Sequence, residues 1–104
     1  MLKKLVIFTS ALFFSTLALA EPVWIDVRTQ AEYDAEHIVG SQHIPHEQIA
    51  SKIESLVPDK EQEIYLYCRS GGRSGKALKA LKELGYTNAK NIGGISDARR
   101  LLSE

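Results

Sequence analysis

The run Glu63-Ile64-Tyr65-Leu66-Tyr67 alternates branched and aromatic residues, then passes through Cys68 and a glycine-containing loop directly into a helical pattern. Branched and aromatic side chains suit a pleated, half-buried surface, so the run predicts a strand with Cys68 at its end. Arg69 to Gly72 is the predicted loop, and a helix is expected to begin near Arg73 or Ser74. Ala77, Leu78, Leu81 and Leu84 form its apolar stripe, Lys76, Lys79 and Lys82 its wet side, and Gly85 its stop. A strand that runs straight into a helix constrains the fold strongly. The helix must cover the sheet and carry the chain back, which favours parallel strands.

The remaining segments repeat this alternation. Val23 to Val27 reads as a short apolar strand, and Thr29 with Glu32 three positions on predicts a capping box opening a helix to about Ala35. Ile38 to Gly40 predicts a turn, and Gln42 to Ile44 a short strand stopped by Pro45. Between His46 and Val57, Ile49, Ile53 and Leu56 fall on one helical face. Ala89 to Ile92 is the last predicted strand, followed by a Gly93-Gly94 turn and a helix from about Ser96 to Leu102. The expected fold class is α/β: a small domain with a mostly parallel central sheet flanked by helices.

Residues 1–20 are excluded from that domain. Lys3 and Lys4 precede an apolar run from Leu5 to Leu17, and Ala18-Leu19-Ala20 closes it with small residues. This order predicts a secretory signal peptide cleaved before Glu21. A membrane anchor needs about 20 apolar residues, and this run is shorter. The predicted mature domain is 21–104. Without Lys3 and Lys4 it carries 11 basic and 13 acidic side chains, a net charge of −2. Such a balance predicts neither nucleic acid nor an anionic membrane surface as partner.

The chain has one cysteine, so no internal disulfide can form, although export leads to a compartment that permits them. A lone thiol there is either reactive or inert and buried, and its surroundings decide. Cys68 stands where a parallel strand ends and a helix begins, the position at which open α/β sheets bind ligands. A helix start offers unpaired N–H groups and partial positive charge. Gly71 and Gly72 let the loop backbone curl into an anion-binding nest, and Arg69 and Arg73 add charge nearby. These features favour thiolate over thiol. They also suit a compact oxyanion, because arginine presents a planar fork of donors. The alternative is a structural Cys packed as a small hydrophobe, for which two glycines and two arginines would be unnecessary.

The spacing separates two reaction classes. Protein tyrosine phosphatases follow C-x5-R, a loop large enough for phosphate. Here Arg73 makes it C-x4-R, with Ser74 at the place of the phosphatase arginine. The tighter ring suits a sulfur carried on the cysteine better, and a phosphatase or arsenate-reductase-like enzyme is the weaker alternative.

Cys68-Arg69-Ser70-Gly71-Gly72-Arg73-Ser74 resembles the active loop of the rhodanese family. Asp26-Val27-Arg28 resembles the family's D-x-R motif, and Glu32-Tyr33, His37-Ile38-Val39-Gly40 and Ile44-Pro45 resemble its E-[FY]…H-I-x-G-A…I-P stretch. Leu84-Gly85-Tyr86 and Gly93-Gly94 match its later positions, while Ser41 departs from its usual Ala. The resemblance covers nearly all of the predicted mature domain, in order. It implies a thiosulfate sulfurtransferase in which Cys68 becomes a persulfide and passes sulfur to cyanide or a thiol, including a protein thiol. A non-catalytic or redox-sensing module of the same family is the other alternative.

The expected substrate-binding residues are Arg69, Ser70, Gly71, Gly72, Arg73 and Ser74, with Arg73 either holding the anion or bracing the loop. Asp26 and Arg28 are expected to support the site, Asp26 by accepting backbone N–H groups and Arg28 by pairing with Glu32. His37, His43 and His46 fit no standard zinc spacing, so neither a metal nor another cofactor is expected. A monomer or weak dimer in the periplasm, without membrane attachment after cleavage, completes the expectation. Expressed in an exporting bacterial host, the protein should accumulate as a chain starting at Glu21. Intact mass would show this, and an uncleaved chain confined to the cytosol would remove the reading.

Overall fold

The computed structural model describes residues 21–104, and the expected signal peptide lies outside them. The elements are β1 (Val23–Asp26), α1 (Gln30–Ala35), β2 (Gln42–His43), a 3-10 turn (His46–Gln48), α2 (Ile49–Leu56), β3 (Ile64–Cys68), α3 (Gly72–Glu83), β4 (Ala89–Gly94) and α4 (Ile95–Leu102). Four strands form one sheet in the order β2-β1-β3-β4, every pair parallel. Each helical connection returns the chain to the same end of the sheet, so the ends of β1, β3 and β4 gather at one edge.

Strand periodicity divides the core in two. Ile25 and Val27 with Ile64, Leu66 and Cys68 face one side, where Ile49 and Ile53 of α2 and Ala77 and Leu81 of α3 cover them. Trp24 and Tyr67 face the other, against Ile38, Ile95 and Ala98. Cys68 therefore points toward the start of α3. Across the sheet, Tyr67 takes part in a buried polar knot: its hydroxyl accepts from the Ile38 N–H at 3.0 Å and lies 3.0 Å from Ser41 Oγ. Ser41 Oγ also donates to the Ile38 carbonyl at 2.7 Å, so the departure from Ala is fully hydrogen-bonded.

The capping box at Thr29 is present: Thr29 Oγ1 accepts from the Glu32 N–H at 3.2 Å, and Glu32 Oε1 from the Thr29 N–H at 3.0 Å. Two expectations need correction. Leu56 is 39 % exposed, and Val57, at 4 %, fills the core in its place. The helix stops at Leu56, and the extended backbone of Val57 (φ −132°, ψ 84°) turns the next side chain inward. Gly93 and Gly94 do not form a turn after β4. The strand runs through them, because an extra residue, Ile92, shifts the pairing from Leu66–Asn91 to Tyr67–Gly93 and Cys68–Gly94.

Leu81→Ala should cost about 3 kcal/mol, whereas Leu56→Ala should cost less than about 1 kcal/mol. Urea unfolding of the two variants checks this, and equal losses would contradict the placement of Leu56 outside the core.

Candidate active site

β3 delivers Cys68 to the end of the sheet, 1 % exposed, and the chain folds back over it at once. Gly71 takes φ +106°, a conformation that L side chains rarely adopt, which lets the loop curl toward the sulfur. The Gly71 N–H donates to Cys68 Sγ at 2.9 Å, and Ser74 Oγ lies 3.3 Å from it. The first intrahelical bond of α3 runs from the Gly75 N–H to the Gly71 carbonyl, leaving the earlier N–H groups without intrahelical acceptors.

Burial alone would push the Cys68 thiol up. The Ser74 hydroxyl and the N–H groups of Ser74, Gly71 and Ser70 outweigh it and bring it down to about 7, from an ordinary 9.0. This favours the thiolate near neutral pH, chiefly through loop hydrogen bonds, with the charge of Arg73 a smaller contribution.

Two features of β4 keep the loop in place. A Cβ on Gly94 would collide with the Arg69 carbonyl oxygen, so only glycine permits this approach of strand to loop. Asn91, opposite Leu66 and on the Cys68 face, ties the loop to the bulge. Its Nδ2 donates to the Gly71 carbonyl at 3.0 Å, and its Oδ1 accepts from Ser74 Oγ at 2.7 Å and the Gly93 N–H at 2.9 Å. Nothing in the sequence marked Asn91 except that asparagine is uncommon in strands.

The expected site residues fall into distinct positions. Arg69 is exposed and makes no ion pair among the described residues. It borders a cleft of about 280 Å³ shared with Arg28, Glu32, Ala35, Glu36 and Ile95. Arg73 is pinned to Glu32 by two bonds of 2.7 and 3.1 Å. Ser74 is closed to solvent behind the sulfur, so it touches the nucleophile and not the surface a substrate meets.

Arg28 does not pair with Glu32 as expected. It forms a buried ion pair with Asp26 at 2.7 Å and donates to the Glu36 carbonyl at 2.7 Å. Residues two apart on an extended chain share a face, so Asp26 is the nearer partner. Asp26 also accepts from the Arg28 N–H at 2.9 Å, the backbone bond foreseen for it. His37 and His43 stack on either side of Tyr33, with ring centroids 3.8 and 4.7 Å away.

A model described as the Rhodanese-like domain matches residues 15–99. The chain belongs to the rhodanese family. It is 41 % identical to the thiosulfate sulfurtransferase PspE of Escherichia coli K12 over 87 residues, 84 % of each protein. Among solved structures, a rhodanese with anions from E. coli superposes with a TM-score of 0.72 at 40 % identity, covering 74 % of this chain and 91 % of that one. The human single-domain sulfurtransferase TSTD1 follows the same fold with a TM-score of 0.65 at 28 % identity, covering 88 % and 90 %.

The Arg73 pair holds the Glu32 carboxyl down at about 2, from an ordinary 4.5, with the Thr29 N–H assisting. A carboxyl lowered in the folded state contributes stability above its unfolded value and loses it as pH falls through the folded one. Replacing Glu32 by Gln should therefore cost about 1–2 kcal/mol at pH 7, the solvent around the pair screening the remainder. The difference from the unaltered protein should shrink between about pH 5 and pH 2. Urea unfolding across that range tests it, and a constant difference would mean that the charge of Glu32 is irrelevant.

Proposed function

We propose that the protein is a thiosulfate sulfurtransferase with Cys68 as its nucleophile. One observation carries the reading: a recessed sulfur ringed by N–H donors, with the thiol lowered to about 7. Family membership and the 41 % identity to a thiosulfate sulfurtransferase support the same chemistry. A sulfur this enclosed is open to one atom offered on a small anion and closed to bulky electrophiles. The outer sulfur of thiosulfate meets that requirement.

In the first half-reaction the Cys68 thiolate attacks the outer sulfur. The S–S bond of thiosulfate breaks, its electron pair leaves on sulfite, and a cysteine persulfide remains. Arg69, which makes no ion pair among the described residues and is exposed at the cleft, attracts the sulfonate end. Ser70, Gly71 and Gly72 supply backbone around the incoming sulfur, and preorganised N–H groups stabilise its charge as it develops. Arg73 serves as a brace through Glu32, and Asp26 with Arg28 fixes the end of β1 beside it. In the second half-reaction cyanide or a thiolate attacks the outer sulfur of the persulfide, and the electron pair of that S–S bond returns to Cys68 Sγ. The protein does this work in the periplasm after loss of residues 1–20.

Intact-mass spectrometry with excess thiosulfate should show a gain of one sulfur, about 32 Da, that cyanide or thiol reverses and Cys68→Ser lacks. No adduct together with no sulfite release would overturn the reading and favour a non-catalytic module.

A further inference from the structure

Ser74 Oγ carries one proton and has two acceptors within reach: Asn91 Oδ1 at 2.7 Å and Cys68 Sγ at 3.3 Å. The orientation of the Asn91 amide is fixed independently. Its nitrogen faces the Gly71 carbonyl and its oxygen faces the Gly93 N–H, so a flipped amide would set donor against donor and acceptor against acceptor. When Cys68 is a thiol, the S–H can donate to Ser74 Oγ while the Ser74 hydroxyl donates to Asn91. When Cys68 is a thiolate, sulfur and amide oxygen both require the same proton.

We propose that Asn91 is a positioning residue for Cys68, acting through Ser74: its amide oxygen competes with the sulfur for the single hydroxyl proton. The hydroxyl turns between them as charge on Sγ comes and goes. The meaning of this rotor in turnover rests on the proposed sulfur transfer. In the resting thiolate the charge on Sγ draws the hydroxyl. Once the persulfide forms, the charge sits on the outer sulfur, Sγ becomes a poor acceptor, and the hydroxyl returns to Asn91. When the acceptor attacks the outer sulfur, the S–S electron pair moves onto Sγ and the hydroxyl swings back to meet it. A donor is thus supplied to the leaving sulfur when its charge develops, while Asn91 holds it away when the charge is elsewhere. The Gly71 N–H is a fixed donor, whereas Ser74 is the adjustable one.

Asn91 lies on an edge strand and is open to solvent on its outer side, so its removal should not leave a sealed hole in the core. The test follows the ultraviolet absorbance of the Cys68 thiolate against pH, with Cys68→Ser as the blank, in Asn91→Ala, Asn91→Asp, Ser74→Ala and both double variants. Asn91→Ala frees the hydroxyl for the sulfur and should lower the titration midpoint by about half a unit. Asn91→Asp, nearly the same shape, is a stronger competitor for the hydroxyl, though it loses the donor to the Gly71 carbonyl, and should raise the midpoint by about one unit.

In the Ser74→Ala background the downward shift of Asn91→Ala should vanish, leaving only the upward effect of the lost Gly71 tie, and the shift of Asn91→Asp should shrink to its through-space charge and that same lost tie. Equal shifts with and without the Ser74 hydroxyl, or no shift at all, would overturn the proposal. This titration needs no sulfur donor. A protein that titrates as expected but forms no persulfide would refute the sulfurtransferase reading and leave the rotor standing.

Discussion

Taking a thiolate out of water is unfavourable, and Cys68 is almost wholly out of water. Everything at this end of the sheet answers that penalty. Without donors, burial would leave an inert thiol; with them, the sulfur titrates at about 7. Those donors are the Ser74 hydroxyl and backbone N–H groups, and the latter reach the sulfur only if the chain curls correctly. The loop conformation is therefore what makes a buried sulfur ionisable, and much of this end of the domain holds it.

Four features hold it from different directions. Gly71 supplies the curl, and Gly94 lets β4 approach where a methyl group would collide with the Arg69 carbonyl. Asn91 ties the Gly71 carbonyl to the β4 bulge. Glu32, already engaged in the cap of α1, reaches across to Arg73 in the first turn of α3. The bulge at Ile92 gives these contacts their register, since it pairs Gly93 and Gly94 with Tyr67 and Cys68 after Asn91 has paired with Leu66. Without the extra residue, the next partners of Tyr67 and Cys68 would be Ile92 and Gly93. Ile92, with its large side chain, would then stand opposite Tyr67, where Gly93 now lies, and Gly94 would be carried past Cys68.

Much of this was legible in the sequence because it is local. A capping box, a strand leading into a glycine loop, and a helical stripe each depend on residues a few positions apart, and each appeared where expected. The loop around Cys68 was legible for the same reason. What was not legible depends on distant pairs. Arg73 meets Glu32 across 41 positions, and Ser74 meets Asn91 across 17. No periodicity encodes such encounters: Glu32 is taken by the distant Arg73, which leaves Arg28 to Asp26 two residues back, and nothing local singles out Asn91. Leu56 and Val57 show a second kind of gap: a helical face is readable, but the residue at which the helix yields to extended chain is not, and one step there exchanges inside for outside.

The fate of Arg73 also bears on the reaction class. A phosphoryl group brings three equatorial oxygens that a cysteine-dependent phosphatase must grip, and arginine's fork is the natural means. Here Arg73, in the first turn of α3, is held by the Glu32 carboxylate, and the following position carries a serine whose hydroxyl lies behind the sulfur. The ring that remains consists of N–H groups aimed at one atom. Such a ring can stabilise charge on a single sulfur but has no guanidinium directed at the oxygens of a phosphate. Arg69, without an ion pair among the described residues, borders the neighbouring cleft, where it can attract the far end of an anion whose reactive end is sulfur. Position and pairing together, more than the count of residues between cysteine and arginine, separate sulfur transfer from phosphate hydrolysis in this fold.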